Sequence, residues 1–184
     1  MAKIQYPPIE TERLLLLPGK TRRDEPAFLK MLKEDGDFEM FSGVPFSEKN
    51  LRAFGGYLQR PFCFAMYRRD RPGELLGCVG VSRHQYRSET EPYKAELYVK
   101  KSERRQGCAE EALRAVCKEV FSGRLRLEEL RATTREDNLP ARALLEKCGF
   151  AIPADGPVLA FTLMTDAEDV SHFVSTTQYI LKKK

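Results

Sequence analysis

The stretch best equipped for chemistry is a short basic loop between a strand and a helix. Lys94-Ala95-Glu96-Leu97-Tyr98-Val99-Lys100 reads as the strand, and Lys101-Ser102-Glu103-Arg104-Arg105-Gln106-Gly107-Cys108-Ala109 leads from it into the helix. A helix N-terminus presents unpaired backbone N–H groups and the positive end of the helix dipole. A glycine in that turn lets a diphosphate approach the backbone with no Cβ in the way. Arg104 and Arg105 add positive charge, screened by solvent. The loop therefore has the chemistry of a phosphate-binding turn. Spacing alone leaves a second reading open, in which Gly107 serves loop geometry and the arginines are simply solvated.

Other motifs fail on their own chemistry. Gly19-Lys20-Thr21 ends like a phosphate loop, but that loop needs a glycine where Leu14 stands. Gly80-Val81-Ser82-Arg83-His84 begins like a nucleophile elbow, yet His84 replaces the closing glycine and a polar connection follows instead of a helix. Ser82 and His84 read better as a strand end entering solvent, with a substrate cleft as the second reading for His84. The five cysteines are odd in number and include no C-x-x-C pair, so free thiols in a reducing compartment are expected. No His/Cys cluster has metal-ligand spacing, and no metal is expected.

The elements that must position the loop alternate along the chain. Strands are expected over 13–17, 62–68, 75–84, 94–100, 127–134, 158–165 and 173–181. Helices are expected over 22–33, from Ser47 as N-cap to about 58, from about Gln106, and over 139–148. The segment 35–45 reads as a loop, and Asp70-Arg71-Pro72-Gly73 as a hairpin turn. In the helix from Gln106, Ala109, Ala112, Leu113, Val116, Cys117, Val120 and Phe121 form one apolar stripe, which puts Cys117 in the core. This order implies an α/β fold, a mixed sheet of about seven strands with flanking helices.

With 184 residues and no internal repeat or linker, the chain reads as one domain. Lys and Arg exceed Asp and Glu by 31 to 27, a net charge of +4, which suits an anionic ligand without demanding nucleic acid. The basic patch at 100–105 has no interleaved aromatics and is interrupted by Glu103, which argues further against a nucleic-acid partner. No stretch has the apolar length of a signal sequence or a membrane span, so a cytoplasmic location is expected.

The segment 104–109 resembles the acyl-CoA signature of the GCN5-related N-acetyltransferase (GNAT) superfamily. It follows Ala95-Glu96-Leu97 and precedes Glu110-Glu111-Ala112-Leu113, as in the RimJ/RimL-like, ribosomal-protein N-acetyltransferase branch. Asn138-Leu139-Pro140-Ala141, ending in Glu146-Lys147-Cys148-Gly149-Phe150, is similar to the superfamily's second signature helix. Thr11-Glu12-Arg13-Leu14 resembles the branch's first strand. The four matches run in order over 9–150, and beyond Phe150 only the strand pattern persists.

The resemblance implies a splayed sheet with acetyl-CoA wedged between the strands at 94–100 and 127–134. The backbone of Tyr98 and Val99 would hold the pantetheine arm. The amides of Arg105, Gln106, Gly107, Cys108 and Ala109 would hold the pyrophosphate, with Arg104 beside them. Asn138 would contact the cofactor arm, or cap its helix, or both. The acceptor is then a primary amine, a protein N-terminus or a small amine, attacking directly in a ternary complex. Such an amine is protonated near neutral pH, with a pKa of ~10.4 for a lysine-type group, so a base is needed. Glu96 matches the branch glutamate and is the candidate; a solvated or ion-paired strand glutamate is the alternative. A backbone N–H near Val99 would stabilise the oxyanion at the thioester. Phe38, Phe41, Phe46 and His84 are candidates for the acceptor pocket, the phenylalanines equally for the core. The resemblance also allows a homodimer. Two departures stand out: Leu145 occupies the place of a frequent tyrosine acid and Ala141 that of a serine, so the leaving thiolate needs another proton source, such as Cys108, Tyr98, water or the acceptor.

Overall fold

The structure is a computed structural model that describes residues 6–18, 24–83, 92–123, 125–154, 156, 159–165 and 171–183. The strands are β1 (Ile9–Glu10), β2 (Leu14–Pro18), β3 (Cys63–Arg68), β4 (Arg71–Ser82), β5 (Lys94–Val99), β6 (Glu129–Arg135), β7 (Leu159–Thr165) and β8 (Ser171–Lys182). They form one sheet in the order β1-β2-β3-β4-β5-β6-β8-β7. Seven are full strands, and β1 is a two-residue addition at the edge. Every neighbouring pair is antiparallel except β5–β6. That parallel pair has one register pair, Lys94 opposite Arg131, after which the strands part.

Both sheet faces are covered, which is why the central strands read as continuous apolar runs rather than alternating ones. On one face α4 (Cys108–Ser122) and α5 (Leu139–Lys147) pack over Leu16, Phe64, Met66, Val79 and Val81. Ala112, Leu113, Val116, Cys117 and Val120 of α4 are buried there, the stripe that its periodicity predicts. On the other face α1 (Asp24–Asp35), α2 (Phe38–Ser42) and α3 (Glu48–Ala53) enclose Phe28, Leu32, Phe38, Ala65, Cys78 and Tyr98. Near Gly77 the β3–β4 register shifts, and the Tyr98 carbonyl oxygen lies so close that a Cβ on Gly77 would meet it at 2.0 Å.

Three local expectations are corrected. The segment 35–45 contains α2, a short helix closed by Gly43 at φ +74, whose N–H donates to the Glu39 carbonyl. The helix from Ser47 stops at Ala53, because Gly55 and Gly56 follow and Gly56 adopts φ +84. The chain then makes a single 3-10 turn, Tyr57–Gln59. The hairpin turns at Arg69 and Asp70, so that Arg71, Pro72 and Gly73 already belong to β4. Among the described residues, no helix is long and apolar enough to cross a membrane.

Candidate active site

After β5 the chain makes a second 3-10 turn, Lys101–Glu103, and reaches Gly107, the N-cap of α4, at φ +80. Arg105 is also left-handed, at φ 61. Among the described residues, the N–H groups of Arg105 to Ala109 find no backbone acceptor, so the turn ends in unpaired donors at a helix N-terminus. Its shape is held from outside. Arg13 donates to the Gln106 carbonyl (2.8 Å), Arg13 Nε to Glu111 Oε2 (2.7 Å), and Thr11 Oγ1 to Glu111 Oε1 (2.6 Å). The Arg13 peptide N–H also donates to Glu111, at 2.8 Å. Burial pushes the Glu111 carboxyl up, but the bonds from Thr11 and Arg13 outweigh it and leave it below the usual range. A Cβ on Gly107 would stand 3.0 Å from Arg13 Nη2. Thr11 and Arg13 thus clamp the first turn of α4 to the start of β2.

Beyond Lys94 the gap between β5 and β6 becomes a cavity of about 360 Å³, walled by Ala95 to Leu97, by Ala132 to Thr134, by α5 and by α2 with Tyr57. Strand alternation decides which peptide groups face it. Lys100 N–H donates to the Leu76 carbonyl of β4, so Lys100 and Tyr98 turn their backbone groups to β4. Leu97 and Val99 turn theirs to the gap. The Val99 carbonyl accepts from Arg104 Nε at 2.8 Å.

Glu96 projects into this cavity from β5. Tyr57 donates its hydroxyl to Glu96 Oε2 and Ser82 donates to Oε1, each at 2.5 Å. Arg60 Nη1 stands 4.0 Å from Oε2. Burial, with Cys78 and the Glu96 carboxylate nearby, pushes the Tyr57 phenol well above its ordinary range. The turn that carries Tyr57 is fixed by the buried Glu25 of α1, whose carboxylate accepts from the Tyr57 and Leu58 N–H groups at 2.9 and 3.1 Å.

A parallel pair that opens beside a glycine-headed helix N-terminus is the arrangement that the resemblance implies, and a model of the acetyltransferase (GNAT) domain matches residues 13–151. The chain belongs to the GNAT acetyltransferase family. Among solved structures, a GNAT acetyltransferase from Bacillus anthracis is 18% identical, with a TM-score of 0.73 over 96% of this chain and 98% of that one. RimL, a ribosomal L7/L12 alpha-N-protein acetyltransferase, solved with coenzyme A, is 14% identical, with a TM-score of 0.67 over 96% and 98%. Spermidine N-acetyltransferase from Vibrio cholerae, solved with CoA and spermine, is 13% identical, with a TM-score of 0.70 over 94% and 96%. At these identities the likeness establishes the fold. No curated protein sequence matches the chain significantly.

Within this GNAT frame the residues expected from the sequence divide. Arg105, Gln106, Gly107, Cys108 and Ala109 share the turn, with the Cys108 thiol buried beneath it. Asn138 lines the cavity and also caps α5, its Oδ1 accepting from the Ala141 N–H at 3.2 Å. Arg104 reaches back instead, to Val99 and to Asp37 Oδ2 (2.5 Å). Tyr98 is corrected: its backbone faces β4, its hydroxyl donates to Asp35 at 2.7 Å, and Leu97 takes its place on the gap edge beside Val99. Phe38 takes the core alternative, at 1% exposure, and Phe46 is corrected to an exposed ring edge-on to it, outside the cavity lining. Phe41 does line the cavity. His84 lies outside the described residues. Ala141 and Leu145 both face the cavity, so neither GNAT departure is masked by a neighbouring position. Sequence reasoning missed Tyr57 and Arg60 and read Ser82 as a strand end entering solvent, where it holds Glu96 instead. Ser82 sits opposite Lys94, two register pairs from Glu96, and only that pairing shows that it faces Glu96.

Proposed function

We propose that the protein transfers an acetyl group from acetyl-CoA to a primary amine by direct attack in a ternary complex. The observation that carries this reading is the gap between β5 and β6, with the open donors of the 105–109 turn beside it and Glu96 on its wall. The residues fit acetyl-CoA: the turn would take the diphosphate, at a Gly107 where a side chain would crowd Arg13, and the Leu97 and Val99 peptides would take the pantetheine arm. The bound thioester supplies the activated acyl group.

The chain's own groups then handle the protons. Glu96 takes one from the attacking amine. A gap-facing backbone N–H near Val99 donates to the acyl oxygen. Neither Cys108 nor Tyr98 returns a proton to the sulfur, since neither is among the residues that line the cavity and Tyr57 is. Tyr57 does so, and recovers a proton from Glu96 through the hydrogen bond that joins them. Because burial keeps its phenol protonated, Tyr57 remains a donor across the neutral range.

Ala141 and Leu145 favour one competing reading, a CoA-binding module without catalysis. A thiol-release assay with acetyl-CoA and a broad amine panel separates the two. Amine-dependent release supports transfer; tight acetyl-CoA binding with no release from any amine would leave only the binding module.

A further inference from the structure

The charges around the cavity bear on which amine enters. Among the described residues that line it, the charged side chains are Arg60 and Glu96, one of each sign. Both Glu96 oxygens already accept hydroxyl donors, and Arg60 stands beside one of them. The Arg60 guanidinium lies 4.5 Å from the Tyr57 ring centroid and 6.0 Å from that of Phe54, and its side chain is 48% exposed. Met40, Phe41, Phe54 and Tyr57 supply apolar and aromatic surface on this wall, with Ser42 among them.

A second ammonium on the acceptor would leave water, find no carboxylate besides Glu96 among the described residues that line the cavity, and meet the arginine. A carboxylate near the reacting amine would instead meet a planar, fork-shaped donor already braced against aromatic rings. An apolar or aromatic frame would suit the remaining wall. We propose that the acceptor is a monoamine on an apolar or aromatic frame with a carboxylate close to the amine, and that Arg60 selects it. This rests on the transferase reading and narrows its primary amine. The carboxylate has two sources, the α-carboxylate of a free amino acid or an acidic side chain next to a peptide N-terminus.

The test uses the full chain saturated with CoA. Phenylalanine, phenylalaninamide, Phe-Asp-amide, Phe-Ala-amide and spermidine are titrated by calorimetry, then assayed with acetyl-CoA for thiol release. Each carboxylate-bearing amine whose source is used should bind roughly tenfold tighter than its uncharged counterpart, with spermidine the weakest of all. The arm that shows the gain identifies the source. Arg60→Gln should erase that gain, and Arg60→Glu should lift spermidine above phenylalanine. Equal or tighter binding of spermidine by the unaltered protein, binding of no amine, or a carboxylate preference that survives Arg60→Gln overturns the inference. The predicted ranking without thiol release would uphold this recognition and defeat the transferase reading. Release with the ranking reversed would do the opposite.

Discussion

The cofactor side and the acceptor side of the cleft are built in different ways. On the proposed cofactor side, the available groups are backbone: the N–H groups of the 105–109 turn and the gap-facing peptides of Leu97 and Val99. Side chains there serve as braces, as Thr11, Arg13 and Glu111 do. On the proposed acceptor side, the groups are side chains from four separate segments: Glu25, Tyr57 with Arg60, Ser82, and Glu96. A backbone site needs a few contiguous residues of the right conformation. A side-chain site needs the tertiary fold to assemble it.

Substitutions should separate the two sides. Glu96→Gln should lower kcat by about a thousandfold, within the range of a lost general base, while the calorimetric affinity for CoA stays as it was. An equal fall in affinity would mean that the two sides are not independent. Gly107→Val is the converse. A β-branched side chain at φ +80, with its Cβ against Arg13, should weaken CoA binding about a hundredfold and leave circular dichroism unchanged. Unchanged affinity would end the phosphate-turn assignment.

Tyr57→Phe should reduce kcat roughly tenfold and reduce the fall in rate on transfer to deuterated water, since one proton in flight is lost. A full deuterium effect in that variant would make Tyr57 a purely positioning group. Glu111→Gln should weaken CoA binding only about threefold, through a looser turn. It should also change acid sensitivity. The folded Glu111 carboxyl lies below its unfolded value, so its contribution to stability is present above the usual carboxylate range and is lost as pH falls through the folded value. Glu111→Gln should therefore flatten the loss of thermal stability below about pH 4.3. The smallest effect concerns the thiols. All five cysteines are free and buried, and burial pushes Cys117 up to about 12, so the native protein at pH 8 should label slowly at every one. One fast thiol would show which side of the cleft opens.

The legibility of the sequence follows the same division. The α4 stripe, the turn at Gly107 and the Asn138 cap could be read because each is local: periodicity, a positive φ and an N-cap are properties of neighbouring residues. Thr11 and Arg13 resembled a family strand, but their task was not readable, because Glu111 lies about a hundred residues away. Phe38, Phe41 and Phe46 had the same composition signal yet went to core, cavity wall and surface. Tyr98 was placed one residue off the gap edge, because strand pairing, and not residue type, decides which peptides face a neighbour.

By itself, then, the sequence determined the α/β order, the family and the glycine-headed helix N-terminus. Those depend on interactions spanning a few residues. The tertiary structure alone decided which hydroxyls hold Glu96, which cation stands beside it, and where β5 and β6 part. Those depend on register and packing between segments that the chain keeps far apart.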